Sequence, residues 1–140
     1  MSSRPTLEEF IALVRSEFAF LVSEFGFTEE KLPGTQWENN FQVRFVNPAC
    51  RIVVEGLGFG TSVGIKFERR AGGHARLLEI LAARCPGAFD SLRQSGDQRA
   101  LLRLAASSIR QHTLDAIRGE SEVYCAAEAR RQQMVNRSIK

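Results

Sequence analysis

The stretch Val53–Phe67, VVEGLGFGTSVGIKF, carries four glycines from Gly56 to Gly64. Its reading decides the fold, because a glycine run either cradles a phosphate ahead of a helix or turns one strand into the next. The phosphate frames do not close. A Gly-x-Gly-x-x-Gly fingerprint begun at Gly56 or Gly58 needs its third glycine where Thr61 or Val63 stands, and the Walker pattern meets Gly64-Ile65-Lys66 instead of Gly-Lys-Ser/Thr. GLGFGTSV is one residue short of the kinase glycine loop, and no kinase catalytic Asp motif follows. By contrast, Val63, Ile65 and Phe67 alternate with Ser62, Gly64 and Lys66, the two-residue period of a strand with one buried face. Aligning Val54 with Val63 and Ile52 with Ile65 leaves Gly58-Phe59 as a two-residue loop. Glycine in its first position suits a type II′ turn.

Upstream, WENNFQVRFV alternates Trp37, Phe41, Val43 and Phe45 with Asn40, Gln42 and Arg44, and Asn47-Pro48 supplies turn chemistry. Pairing Val46 with Arg51 puts Phe45 opposite Ile52 and Val43 opposite Val54, so every apolar side chain falls on one side of the ribbon; a one-residue slip would expose the set. Gln42, Arg44, Glu55 and Lys66 then occupy the other side, open to water or to a partner.

Before the strands, Thr6 and Glu9 form a capping box, and Leu7, Phe10, Ile11, Val14, Phe18, Leu21, Val22 and Phe25 recur at helical spacing up to Gly26. One helix is expected there, with Leu13 and Phe20 on its flank. After Glu68, Gly72-Gly73 breaks the sheet. A helix is expected from Ala75 to about Cys85 with Leu77, Leu78 and Leu81 inward, stopped by Pro86-Gly87. A linking segment follows, then a helix from about Asp97 to Arg118 with Gly119 past its end, and a last helical segment from Glu120 to about Val135. In that segment Val123, Ala127 and Met134 make a thin apolar stripe interrupted by Arg130.

These elements predict an α+β fold in one domain, residues 1–140. It has an N-terminal helix and an antiparallel meander of three strands, or four if 27–36 adds one, within 6–67. Two to three helices in 74–140 pack on one sheet face. The 140 residues suffice for one core. No apolar run reaches the ~20 residues of a membrane span and no signal-peptide pattern opens the chain, which implies a cytoplasmic protein without membrane association. Cys50, Cys85 and Cys125 are odd in number and widely spaced, so reduced thiols are expected, not a disulfide framework or a zinc knuckle.

Charge is uneven. Residues 1–68 hold six Lys/Arg against nine Asp/Glu, and residues 69–140 hold thirteen against seven. Such a split can mark an anionic partner. Arg99, Arg103 and Arg110 lie within about 40° on one helix face, a stripe that fits phosphates, although no aromatic residues interleave for base stacking.

His112 falls on the inward stripe of the same helix as Leu101, Ala105, Ile109 and Ala116, with Asp115 three residues on. With Cys85 these are the parts of a thiol nucleophile site, but no motif fixes Cys85 beside them or supplies an oxyanion hole. A hydrogen-bonded core histidine is the plainer account. His74 reads as a surface loop residue, and the two histidines lack metal-ligand spacing, so neither metal nor cofactor is expected. Glu17 with Glu24 and Glu8 with Glu9 leave no carboxyl isolated for acid–base work.

FIALVRSEFAFLVSEFGF followed by FQVRFVNPACRIVVEG resembles small uncharacterised bacterial cytosolic proteins, including immunity proteins of polymorphic toxin systems. The likeness spans about residues 6–67 and stops at Glu68. It implies a non-enzymatic protein that binds and blocks one partner. The expectation is therefore a protein-binding protein using Arg44, Glu55 and Lys66 on the sheet, the Phe59 turn, or the Arg99, Arg103 and Arg110 stripe. The alternative is a nucleic-acid-binding or regulatory protein using that stripe. Self-association through 120–140 is a further option.

Overall fold

The computed structural model describes residues 7–30, 42–57, 62–94 and 98–139. In chain order these form α1 (Leu7–Glu17), α2 (Ala19–Phe25), β1 (Thr28–Glu30), β2 (Gln42–Val46), β3 (Cys50–Leu57) and β4 (Ser62–Arg69). They continue as β5 (His74–Arg76), α3 (Leu77–Arg84), α4 (Pro86–Gln94), α5 (Gln98–His112), α6 (Leu114–Ile117) and α7 (Ser121–Ile139). The architecture is α+β, as expected. All strand pairs are antiparallel, in the order β1-β2-β3-β4-β5. Thr6, Trp37, Phe41 and the Gly58-Phe59 turn lie outside the described residues.

The β2–β3 hairpin has the expected register, with Val46 opposite Arg51, Phe45 opposite Ile52 and Val43 opposite Val54. The Asn47 side chain holds its turn, Oδ1 accepting the N–H groups of Ala49 at 2.9 Å and Cys50 at 2.7 Å. The β3–β4 pairing differs from expectation by two residues. Val54 stands opposite Ile65 and Ile52 opposite Phe67, and the described ladder runs to Leu57 opposite Ser62. A two-residue shift keeps every side chain on its face. It also puts Arg51 opposite Glu68, where the expected register would have set Arg51 against Lys66, a like-charge pair that destabilises a ladder.

Two short strands extend the meander. β1 falls in the 27–36 region. β5 includes His74, read as a loop residue and found exposed on a strand, so α3 begins at Leu77 instead of Ala75. Gly72 and Gly73, at φ 122° and 96°, form the turn into β5. Three residues are too few to display a period, which hid this strand.

The N-terminal helix is two helices. Phe18 leaves helical geometry at φ −106° and ψ 15°, and α2 restarts at Ala19 and ends at Gly26, in the left-handed region at φ 71°. The break turns Phe20 inward and leaves Val22 50% exposed, the reverse of the wheel expectation. Burying a phenylalanine ring removes more apolar area from water than burying valine. Phe18 stacks on Phe20 and on Phe45, with centroids 6.2 and 6.4 Å apart.

The later helices are also more divided than the wheel suggests. Pro86 starts α4 in what reads as a linking segment, since proline lacks the N–H that a first turn leaves unpaired. Ile80 is buried where Leu78 was expected, and Leu78 is exposed. Thr113 separates α5 from α6. It is fully buried, and its hydroxyl donates to Ile109 O at 2.8 Å, a back-bond that bends or ends a helix.

One apolar cluster runs from Phe10 and Val14 through Val43, Phe45, Ile52, Val54, Ile65 and Phe67 to Leu81, Leu102, Ile109 and Ala127. It draws on both sequence halves and lies between the sheet and the helices. At its end Tyr124 of α7 donates its hydroxyl to Ala116 O at 2.8 Å and sits 3.5 Å from Cys50 Sγ. Burial pushes the Cys50 thiol up to about 11, the Tyr124 hydrogen bond opposing in part. Cys50 is therefore expected to resist DTNB in the folded protein while exposed Cys125 reacts at once; equal rates for the two would contradict this packing.

Candidate functional site

Alternation along β2, β3 and β4 sends Phe45, Ile52 and Phe67 under the helices and sends their neighbours to the opposite face. On that outer face the register aligns Glu30, Arg44, Val53, Lys66 and Arg76 in one cross-strand row. A second row holds Thr28, Val46, Arg51, Glu68 and His74, and Gln42, Glu55 and Gly64 follow in a third. The described helices that touch the sheet contribute to the inner cluster, and Val53, although only 4% exposed, stands outside that cluster.

The outer face is a connected set of charges. Arg51 donates from Nη2 to Glu30 Oε2 at 3.0 Å and from Nη1 to Glu68 Oε1 at 3.2 Å. Its Nε lies 3.0 Å from Glu30 Oε1, misaligned for a hydrogen bond, so this contact is an ion pair alone. Lys66 Nζ reaches Glu68 Oε2 at 3.1 Å, and Arg44 Nε donates to Gln42 Oε1 at 2.9 Å. Burial acts to raise the Glu68 pKa, but the combined hydrogen bonds from Lys66 and Arg51 outweigh it and hold the carboxyl below its usual range. Arg51 of β3 thereby ties β4, its neighbour on one side, and reaches across β2 to β1 on the other. Individually such half-exposed pairs contribute little to stability. Collectively they hold the long side chains in place.

Of the residues singled out in the sequence, Arg44, Glu55 and Lys66 fall together on this face. Glu30, Arg51, Val53 and Glu68 belong with them and were missed. Arg51 and Val53 were legible as the outward positions of β3, but Glu30 required β1.

The arginine stripe lies elsewhere and faces carboxylates of the N-terminal helices. Arg103 Nε is 3.7 Å from Glu17 Oε1, and Arg110 Nη2 donates to Glu24 Oε1 at 2.9 Å while its guanidinium sits 5.1 Å from the Phe20 ring centroid. Arg99 lies with Glu9 along the α1–α5 seam. Glu17 and Glu24 are thus partners of the stripe.

His112, Asp115 and Cys85 do not form a nucleophile site among the described residues. Arg84 takes the Asp115 carboxylate in a bidentate pair, Nη1 to Oδ1 at 2.8 Å and Nη2 to Oδ2 at 2.5 Å, and also donates to His112 O at 2.7 Å. That hydrogen bonding lowers the Asp115 pKa against the opposing effect of burial. The imidazole is half-buried at the end of α5 and bonds to neither Asp115 nor Cys85. Among the described residues no group of three or more His, Cys, Asp or Glu could hold a metal, and no helix is long and apolar enough to cross a membrane.

No protein-family model, curated protein or solved structure matches the chain.

Proposed function

We propose that the chain is a small non-enzymatic protein-binding protein of the cytoplasm, inhibitor- or immunity-like in action, whose contact surface is the outer face of the sheet. The observation that carries this reading is the ordered array around Val53. Four cations, Arg44, Arg51, Lys66 and Arg76, and three carboxylates, Glu30, Glu55 and Glu68, sit at fixed cross-strand positions, on the side away from the helical cluster. Charges fixed in a set pattern steer encounter and reject partners of the wrong pattern more than they add raw affinity. Five of these side chains, Glu30, Arg44, Arg51, Lys66 and Glu68, are already held by hydrogen bonds or ion pairs, so they lose less conformational entropy on contact.

The nucleic-acid reading draws less support, because Arg103 and Arg110 face Glu17 and Glu24 and are partly neutralised there. Phosphate binding would have to displace these carboxylates.

The test is capture from the source cell's lysate on immobilised protein, comparing wild type with Arg44→Glu and Lys66→Glu. Both variants are expected to keep the wild-type circular dichroism and to bind the captured partner about tenfold or more weakly. A partner held equally by all three proteins would place the contact elsewhere. Binding of labelled DNA or RNA that falls steeply with salt and weakens in Arg99→Ala/Arg103→Ala would favour the alternative.

A further inference from the structure

The helical layer carries a separate recess. Between α3 and α7, the small side chains Ala83, Ala126 and Ala127 leave a furrow of about 240 Å3 above Ile80 and Val123. That volume is below the ~300 Å3 at which cofactor-sized pockets begin, so it suits an inserted side chain. Its walls are fixed from both sides. Arg131 of α7 donates to Glu79 Oε1 at 2.7 Å and to His74 O at 3.1 Å, and Glu79 also accepts the Arg76 N–H at 2.7 Å. Arg84 and Asp115 are occupied with each other.

Two lining charges differ from these. Glu122 and Arg130 make no hydrogen bond or ion pair among the described residues. With Ala126 they stand four and eight residues apart on one line of α7, so a carboxylate and a guanidinium flank the furrow roughly 12 Å apart along the helix axis, with an alanine between them.

We propose that this furrow docks an amphipathic helix of a partner protein, one that presents a basic, a leucine-sized apolar and an acidic residue at successive four-residue steps. The base meets Glu122, the apolar side chain enters beside Ala83 and Ala126, and the acid meets Arg130. A helix is the form that fits. Its charges repeat the same 12 Å rise, and it satisfies its own backbone, whereas an extended segment here would find helix walls and no sheet edge to pair with. This surface is on the opposite layer from the outer sheet face, and the inference stands or falls independently of it.

The probes are Ala-rich helical peptides carrying Lys–Leu–Glu, Glu–Leu–Glu or Lys–Ser–Glu at these three positions, titrated into the isotopically labelled full chain and followed by amide chemical shifts. Lys–Leu–Glu is expected to shift the Ala83, Ala126 and Ala127 signals saturably, with Lys–Ser–Glu and Glu–Leu–Glu binding about tenfold or more weakly. Ala126→Trp, at an exposed position, fills the furrow and should weaken Lys–Leu–Glu to the same degree. Glu122→Lys should reverse the preference in favour of Glu–Leu–Glu. Shifts absent at millimolar peptide, or a preference that Glu122→Lys leaves unchanged, would overturn the proposal.

Discussion

Replacing Phe18 with alanine is expected to destabilise the fold by about 3–5 kcal/mol, read from the midpoint of urea unfolding at unchanged slope. Phe18 has no exposed surface, stacks on Phe20 and Phe45, and sits at the joint between α1 and α2. Its removal leaves a cavity that the joint cannot close without moving both helices. A domain holds about 5–15 kcal/mol in total, so the loss is a large share. A double-mutant cycle with Phe45→Ala should return a coupling of about 0.5–1.5 kcal/mol for the ring pair. A loss below about 1 kcal/mol would mean that the α1–α2 joint does not lie in the core.

Gly119→Ala is expected to lose about 2–4 kcal/mol, for two separable reasons. Gly119 closes α6 in the left-handed region at φ 73°, its N–H bonding Ala116 O and the next N–H bonding Asp115 O, the paired bonds of a Schellman ending. A Cβ there would also stand 2.9 Å from Ala49 O. That carbonyl cannot retreat freely, because it accepts the Arg70 N–H at 3.0 Å, and Arg69 Nε donates to Gly119 O at 2.8 Å. Gly26→Ala isolates the first reason. Its φ is 71° but open space surrounds it, so about 1 kcal/mol is expected. Gly87→Ala removes both, since its backbone is ordinary and nothing lies within 4 Å; a gain of about 0.5 kcal/mol is expected. Equal losses at Gly119 and Gly26 would show that the Ala49 contact yields.

Much of this architecture is written in local chemistry. Asn47-Pro48 and the alternation on both sides of it determine the β2–β3 pairing to the residue. Alternation also assigns faces to β4, but it cannot distinguish registers two residues apart, and the observed one sets Glu68, not Lys66, opposite Arg51. The breaks at Phe18 and Thr113 left no mark that a helical wheel detects, because ring burial in one case and a local hydroxyl back-bond in the other leave the apolar spacing unchanged. Site residues divided the same way. Arg44, Glu55 and Lys66 follow from strand period alone, whereas Glu30 depends on a three-residue strand.

The charge asymmetry between the two halves of the chain was legible as a number and not as a geometry. Part of it is consumed internally, with cations of α5 against carboxylates of α1 and α2. That use could not be inferred without knowing that α5 lies alongside α1.

The strictly sequential strand order has a consequence for synthesis. Each described strand pairs with the one made just before it, so the sheet can assemble as it leaves the ribosome with no more than eleven residues between neighbouring strands. The helices α5, α6 and α7 that cover much of its greasy underside belong to the last third of the chain. Until they emerge, the nascent sheet must hold that underside in water or against a chaperone, and translation speed through this final stretch becomes a determinant of yield.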